Sequence, residues 1–67
     1  MIDSHLLEQF IADSGYKKSH LAKALGIRTE TLSRKIHNNS SFKVNEIQRL
    51  CSLLDISDDD RDCIFFP

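Results

Sequence analysis

Glycine and proline are scarce, two and one in 67 residues. That scarcity disfavours a disordered or turn-dominated chain and favours helices. Two cysteines, Cys51 and Cys63, are too few for a disulfide framework. No apolar run approaches the roughly 18 residues of a membrane span. The first residues, Met1-Ile2-Asp3-Ser4-His5, are polar and acidic rather than a basic-then-apolar leader. The expected location is therefore cytoplasmic, with no membrane partner. An excess of positive charge is also missing: nine basic and ten acidic residues give a net charge of −1. Taken whole, that balance speaks against nucleic acid, whose partners are usually basic. The chain is short for walls, lid and cofactor site around a cleft, so no enzyme, cofactor or small-molecule substrate is expected. A single domain over residues 1–67 buries only about 60% of its unfolded surface, so its stability is marginal without a partner.

What is present is an ordinary globular mixture, 40% hydrophobic and 28% charged. Its apolar residues recur at helical spacing, and no stretch alternates as a strand would. Leu6, Leu7, Phe10 and Ile11 mark a first helix, capped by Asp3 or Ser4 and stopped at Gly15. Leu21, Ala22 and Leu25 mark a second, ending at Gly26. Leu32 and Ile36 mark a third, stopping near Asn38-Asn39. Phe42 interrupts the polar loop that follows and is expected to plug the core. Val44, Ile47, Leu50, Cys51 and Leu54 form the stripe of a fourth helix. Ser57 is placed to cap a fifth, with Asp58, Asp59 and Asp60 at the positive end of its dipole. The reading is an all-α fold of five short helices.

The charge is unevenly placed. Residues 15–43 carry seven basic side chains against the single acid Glu30, a net of +6. Residues 1–14 carry −3 and residues 44–67 carry −4. A solvated face of mixed charge is the plain explanation of most charge runs. Seven cations to one anion instead suggest a surface for phosphates, bound through counterion release.

Inside this block lies Lys18-Ser19-His20-Leu21-Ala22-Lys23-Ala24-Leu25-Gly26-Ile27-Arg28-Thr29-Glu30-Thr31-Leu32-Ser33-Arg34-Lys35-Ile36-His37. Ala22 is small where the next helix crosses close by, and Gly26 allows the positive φ of a sharp turn. Leu21, Leu25, Ile27, Leu32 and Ile36 face inward. Thr29, Glu30, Ser33, Arg34 and His37 fall at offsets that share one outward, polar face of the third helix. Such a helix fits the major groove of B-DNA.

This segment resembles the helix-turn-helix of the phage Cro and lambda-repressor-like (XRE) family. The resemblance covers the first four helices and extends over the whole chain, and implies a compact five-helix, lambda-repressor-like, DNA-binding fold with the helix-turn-helix at about 18–37. It implies base reading by Thr29, Glu30, Ser33 and Arg34, with Arg34 the best reader because Arg pairs bidentately with guanine. Glu30 either accepts from cytosine or pairs with Arg34 at i, i+4. Lys18 matches a phosphate-contacting position. Lys17, Lys35, Lys43 and the backbone around Asn38 are further expected phosphate contacts, and His37 is either another or a plain surface residue. Two positions depart from the family pattern. Arg28 stands where relatives carry a capping Ser, which moves the helix start to Thr29 as either a cap or a base reader. Lys35 replaces a common apolar residue, its stem covering the core edge while its ammonium reaches phosphate.

The resemblance implies a small transcriptional regulator, a Cro-like repressor of phage or prophage origin that occludes a promoter. One recognition helix reads few base pairs, so a homodimer on a pseudo-palindrome is expected. Ile64, Phe65 and Phe66 are the candidate dimer contact, because one small core hardly takes both phenylalanines. The other reading is a protein-interaction module on the same fold, an antitoxin or anti-repressor. Histidines and cysteines lack metal-ligand spacing, so no metal is expected, and Cys51 on the fourth stripe reads as a small buried hydrophobe.

Overall fold

A computed structural model describes residues 1–67. The fold is all-α, with five helices and no strand: α1 Ser4–Ser14, α2 Lys18–Leu25, α3 Thr29–Ile36, α4 Val44–Leu53 and α5 Asp58–Phe65. None is long and apolar enough to cross a membrane.

Local chemistry sets each boundary. Asp3 rather than Ser4 caps α1, its carboxylate accepting from the Leu6 amide at 3.1 Å. Ser57 caps α5 by accepting from the Asp60 amide at 3.2 Å, and three acids follow in the first turn, where the helix dipole favours them. Gly15 and Gly26 take φ of 76° and 73°. A Cβ at either would meet nothing within 4 Å, so glycine is needed there for the dihedral and not for space. Asn38 at φ 65° and Asp55 at φ 53° do the same work without glycine. At Gly26, Asn38 and Asp55 the next residue's amide reaches back to the helix: Ile27 to Ala22 (3.0 Å), Asn39 to Arg34 (2.8 Å) and Ile56 to Cys51 (2.9 Å). These are Schellman closures, which satisfy carbonyls that would otherwise end the helix unpaired.

The five helices share one core. Leu7 and Ile11 enter from α1, Leu21, Ala22 and Leu25 from α2, Leu32 and Ile36 from α3. Leu50, Cys51 and Leu54 close the α4 side; Ile64 and Phe65 close the α5 side. α2 is the hub, packing on both α3 and α4, while α1 packs on α3 and α5. Phe42 is half-buried and meets the Phe65 ring edge-on, centroids 5.4 Å apart, as a plug between the loop and α5.

Two expectations change. Val44, the first residue of α4, is 72% exposed and lies outside the core. Ile64 and Phe65, expected at a dimer contact, are 0% and 6% exposed and belong to the core. The remaining apolar side chain of that end, Phe66, points out at 64% exposure. The two phenylalanines divide: one fills the interior, the other faces solvent.

Candidate nucleic-acid interface

α3 is anchored along its inner face and at its carboxyl end. Leu32 and Ile36 of α3 are fully buried against the core. At its amino end Arg28 is the N-cap, extended and without a side-chain capping bond, so α3 starts at Thr29. Thr29 is thus the first helical residue rather than the cap, and it is exposed. At its carboxyl end Asn38 ties the helix to the chain's first residues. The Asn38 Oδ1 accepts from the Ile2 amide at 2.8 Å, and its Nδ2 donates to the Ile2 carbonyl at 3.1 Å and to Ser4 Oγ at 3.0 Å. The Ser4 hydroxyl donates to the Ile36 carbonyl, and the Asp3 amide donates to the Ile64 carbonyl at 2.7 Å.

Four positions were expected to read bases. Thr29, Glu30 and Arg34 are exposed, and Ser33 is half-buried. Glu30 and Arg34 make no ion pair with each other or with any other residue within 4 Å. The i, i+4 alternative is therefore not formed, and both side chains keep their hydrogen-bonding capacity for a ligand. Ser33 is partly engaged, its Oγ 3.5 Å from His37 Nδ1.

The expected phosphate contacts separate into two groups. Lys17 and Lys43 are exposed and stand immediately before α2 and α4. Lys18 is one-third exposed, its Nζ 3.1 Å from both carboxylate oxygens of Glu8. His37 is half-exposed; its Nδ1 lies 2.8 Å from the Ser33 carbonyl and its Nε2 3.9 Å from Glu8 Oε2.

Lys35 and Asn38 do not face a ligand. Lys35 is 6% exposed, and its ammonium lies 2.6 Å from Glu46 Oε1, itself 5% exposed. The Lys35 position on α3 faces α4, not solvent, so its stem and its charge both stay inside. Burial opposes ionisation of Glu46 and would raise its pKa. The Lys35 ammonium and the Lys43 amide, which donates to the same carboxylate at 2.8 Å, outweigh burial and hold the carboxyl below its ordinary value. The Asn38 side chain is consumed by Ile2 and Ser4, and the amides of Asn38 and Asn39 donate to the Lys35 and Arg34 carbonyls. Those two amides are therefore not free to donate to a phosphate.

Sequence reasoning missed the two acids in these pairs. Glu8 and Glu46 lie ten and eleven residues from their lysines, on different helices, and no helical spacing announces such a pair. It also missed a stack of Tyr16 on His20, ring centroids 5.1 Å apart and planes 25° apart, beside Lys17 at the start of α2. Here the i, i+4 spacing was the available signal.

A helix-turn-helix is thus assembled over α2 and α3, closed by Gly26 and presenting a polar face on which Glu30 and Arg34 are unpaired, with cations around it. The model of the Cro/C1-type HTH DNA-binding domain matches residues 6–60, most of the chain. The chain belongs to the Cro/C1-type helix-turn-helix DNA-binding family. No curated protein and no solved structure matches it. The matched region spans α1 to α4 and the start of α5, so the Cro/C1-type domain includes the whole recognition unit together with the helices that hold it. Membership in this family makes the protein a DNA-binding regulator.

Proposed function

We propose that this protein is a sequence-specific repressor that binds double-stranded DNA as a homodimer on a pseudo-palindromic operator. α3 enters the major groove, with Thr29, Glu30, Ser33 and Arg34 at base edges and Lys17, Lys18, His37 and Lys43 at phosphates. The observation that carries this reading is the unpaired state of Glu30 and Arg34 on a helix buried along its inner face and tied down at its carboxyl end. A guanidinium without an internal partner pairs with guanine without first breaking an ion pair.

Dimension supports the pairing. The chain measures 27 × 24 × 20 Å, and successive faces of the major groove lie roughly 34 Å apart. One chain reaches one groove segment, which is too few base pairs for a genome. The exposed Phe66 lies between two surface depressions, one also lined by Met1 and one by Val44, both strongly exposed. This apolar patch replaces Ile64 and Phe65 as the candidate dimer contact. Resemblance to phage Cro and lambda-repressor-like proteins supports a phage or prophage origin and repression by promoter occlusion.

Selection of bound sequences from a random duplex pool tests the reading. A palindromic consensus is the expected result. If no sequence is enriched and no duplex binds at low salt, the protein-interaction alternative replaces it. For the dimer, Phe66→Asp is expected to shift the sedimentation coefficient to that of a monomer while the fold is kept; unchanged association would move the contact elsewhere.

A further inference from the structure

Glu8 is an anion in a place chosen for anions of another molecule. It projects from α1 between the first residue of α2 and the residue that ends α3. Both of its oxygens lie 3.1 Å from Lys18 Nζ, and Oε2 also lies 3.9 Å from His37 Nε2. All three side chains are about one-third to one-half exposed, so the cluster opens to solvent. The His37 ring is oriented by its other nitrogen, which lies 2.8 Å from the Ser33 carbonyl of α3. Lys18 and Glu8 together carry no net charge. The charge of Lys18, one of the side chains assigned to phosphates, is therefore cancelled within the corner.

We propose that Glu8 acts as an internal stand-in for a DNA phosphate. In the free protein it holds the Lys18 ammonium, with His37 at its edge. When a duplex docks, a backbone phosphate takes that ammonium, and the carboxylate is released to solvent. Glu8 thereby sets how tightly the protein adheres to any DNA and how strongly salt modulates that adhesion. This inference rests on the reading of Lys18 as a phosphate contact. The exchange is feasible because the pair is partly exposed and so only weakly favourable. A buried pair such as Lys35–Glu46 could not be exchanged in this way.

The test is fluorescence anisotropy of Glu8→Gln, Lys18→Ala and the double variant over a range of salt concentrations. The probe is a labelled mixed-sequence duplex of about two helical turns. Thermal melting of each variant checks that the fold is kept. Glu8→Gln is expected to bind roughly twofold to fivefold tighter, the range of an exposed ion pair. Its dependence of log affinity on log salt should steepen by up to about 1. Most of that gain should vanish in the Lys18→Ala background. Equal or weaker binding by Glu8→Gln would overturn the proposal. If Lys18→Ala still weakened binding, the phosphate contact would stand and Glu8 would be a prop for it. A gain of the same size in both backgrounds would also overturn it, since Glu8 would then act by general repulsion alone. If neither single variant changed binding, the phosphate reading of this corner would fall with it.

Discussion

Arg34 and Lys35 are sequence neighbours in the last turn of α3, yet one faces solvent without a partner and the other is sealed against α4. A step of 100° around the helix axis separates them. The outer face keeps its charge available; the inner face spends its charge on holding the fold. Surface cations here are worth counting only after their internal partners are subtracted. Of the seven cations in the basic block, Lys35 is consumed by Glu46 and Lys18 is shared with Glu8.

The widest gap between the two faces should appear in stability. Lys35→Met or Glu46→Gln alone strands a buried polar or charged partner and is expected to cost about 3–5 kcal/mol in urea unfolding. Combining Lys35→Met with Glu46→Leu should recover most of that loss, since a well-packed apolar pair replaces a buried ion pair at little cost. A loss under about 1 kcal/mol in both single variants would erase the distinction between the faces.

The same pair leaves a signature in pH. The Glu46 carboxyl is lowered in the folded state, so its contribution is fully present above the ordinary carboxylate range. It is lost as pH falls through that range toward the folded value. Acid titration of the unfolding free energy should show this decline, and Glu46→Gln should flatten it.

At the hinge between the faces, Asn38→Ala removes three side-chain hydrogen bonds and puts alanine at φ 65°. A loss of about 1–3 kcal/mol is expected. Asn38→Gly restores the dihedral but not the bonds, and comparison of the two divides the effect.

On the outer face the expectation reverses. Arg34→Ala should cost roughly 1–3 kcal/mol in binding to a selected duplex and relax preference at one base pair, while stability stays within about 0.5 kcal/mol. Lys17→Ala should give the smallest change, a uniform weakening across sequences with the salt slope lower by about 1. If Arg34→Ala instead weakened all sequences equally, Arg34 would be a phosphate contact.

Helix positions were largely legible because their signals are local. Gly15, Gly26, Asn38 and Ser57 act through dihedrals and capping bonds within a few residues, and the helices end or begin where those residues stand. Asp55 was missed as a stop, since aspartate announces a left-handed turn more weakly than glycine or asparagine. The outward face of α3 was legible too, because periodicity separates it from Leu32 and Ile36.

The partner of each charge was not legible. Lys35 carries the same chemistry as Lys17, and nothing within one helical turn distinguishes them; the distinction is Glu46, eleven residues away on another helix. Phe65 and Phe66 likewise differ only in which side of α5 the core lies. Short-range chemistry placed the five helices and the outward polar face of α3. Packing of helix on helix decided which cations remain free on that face, because ion pairing depends on distance in space and the chain encodes distance only along itself.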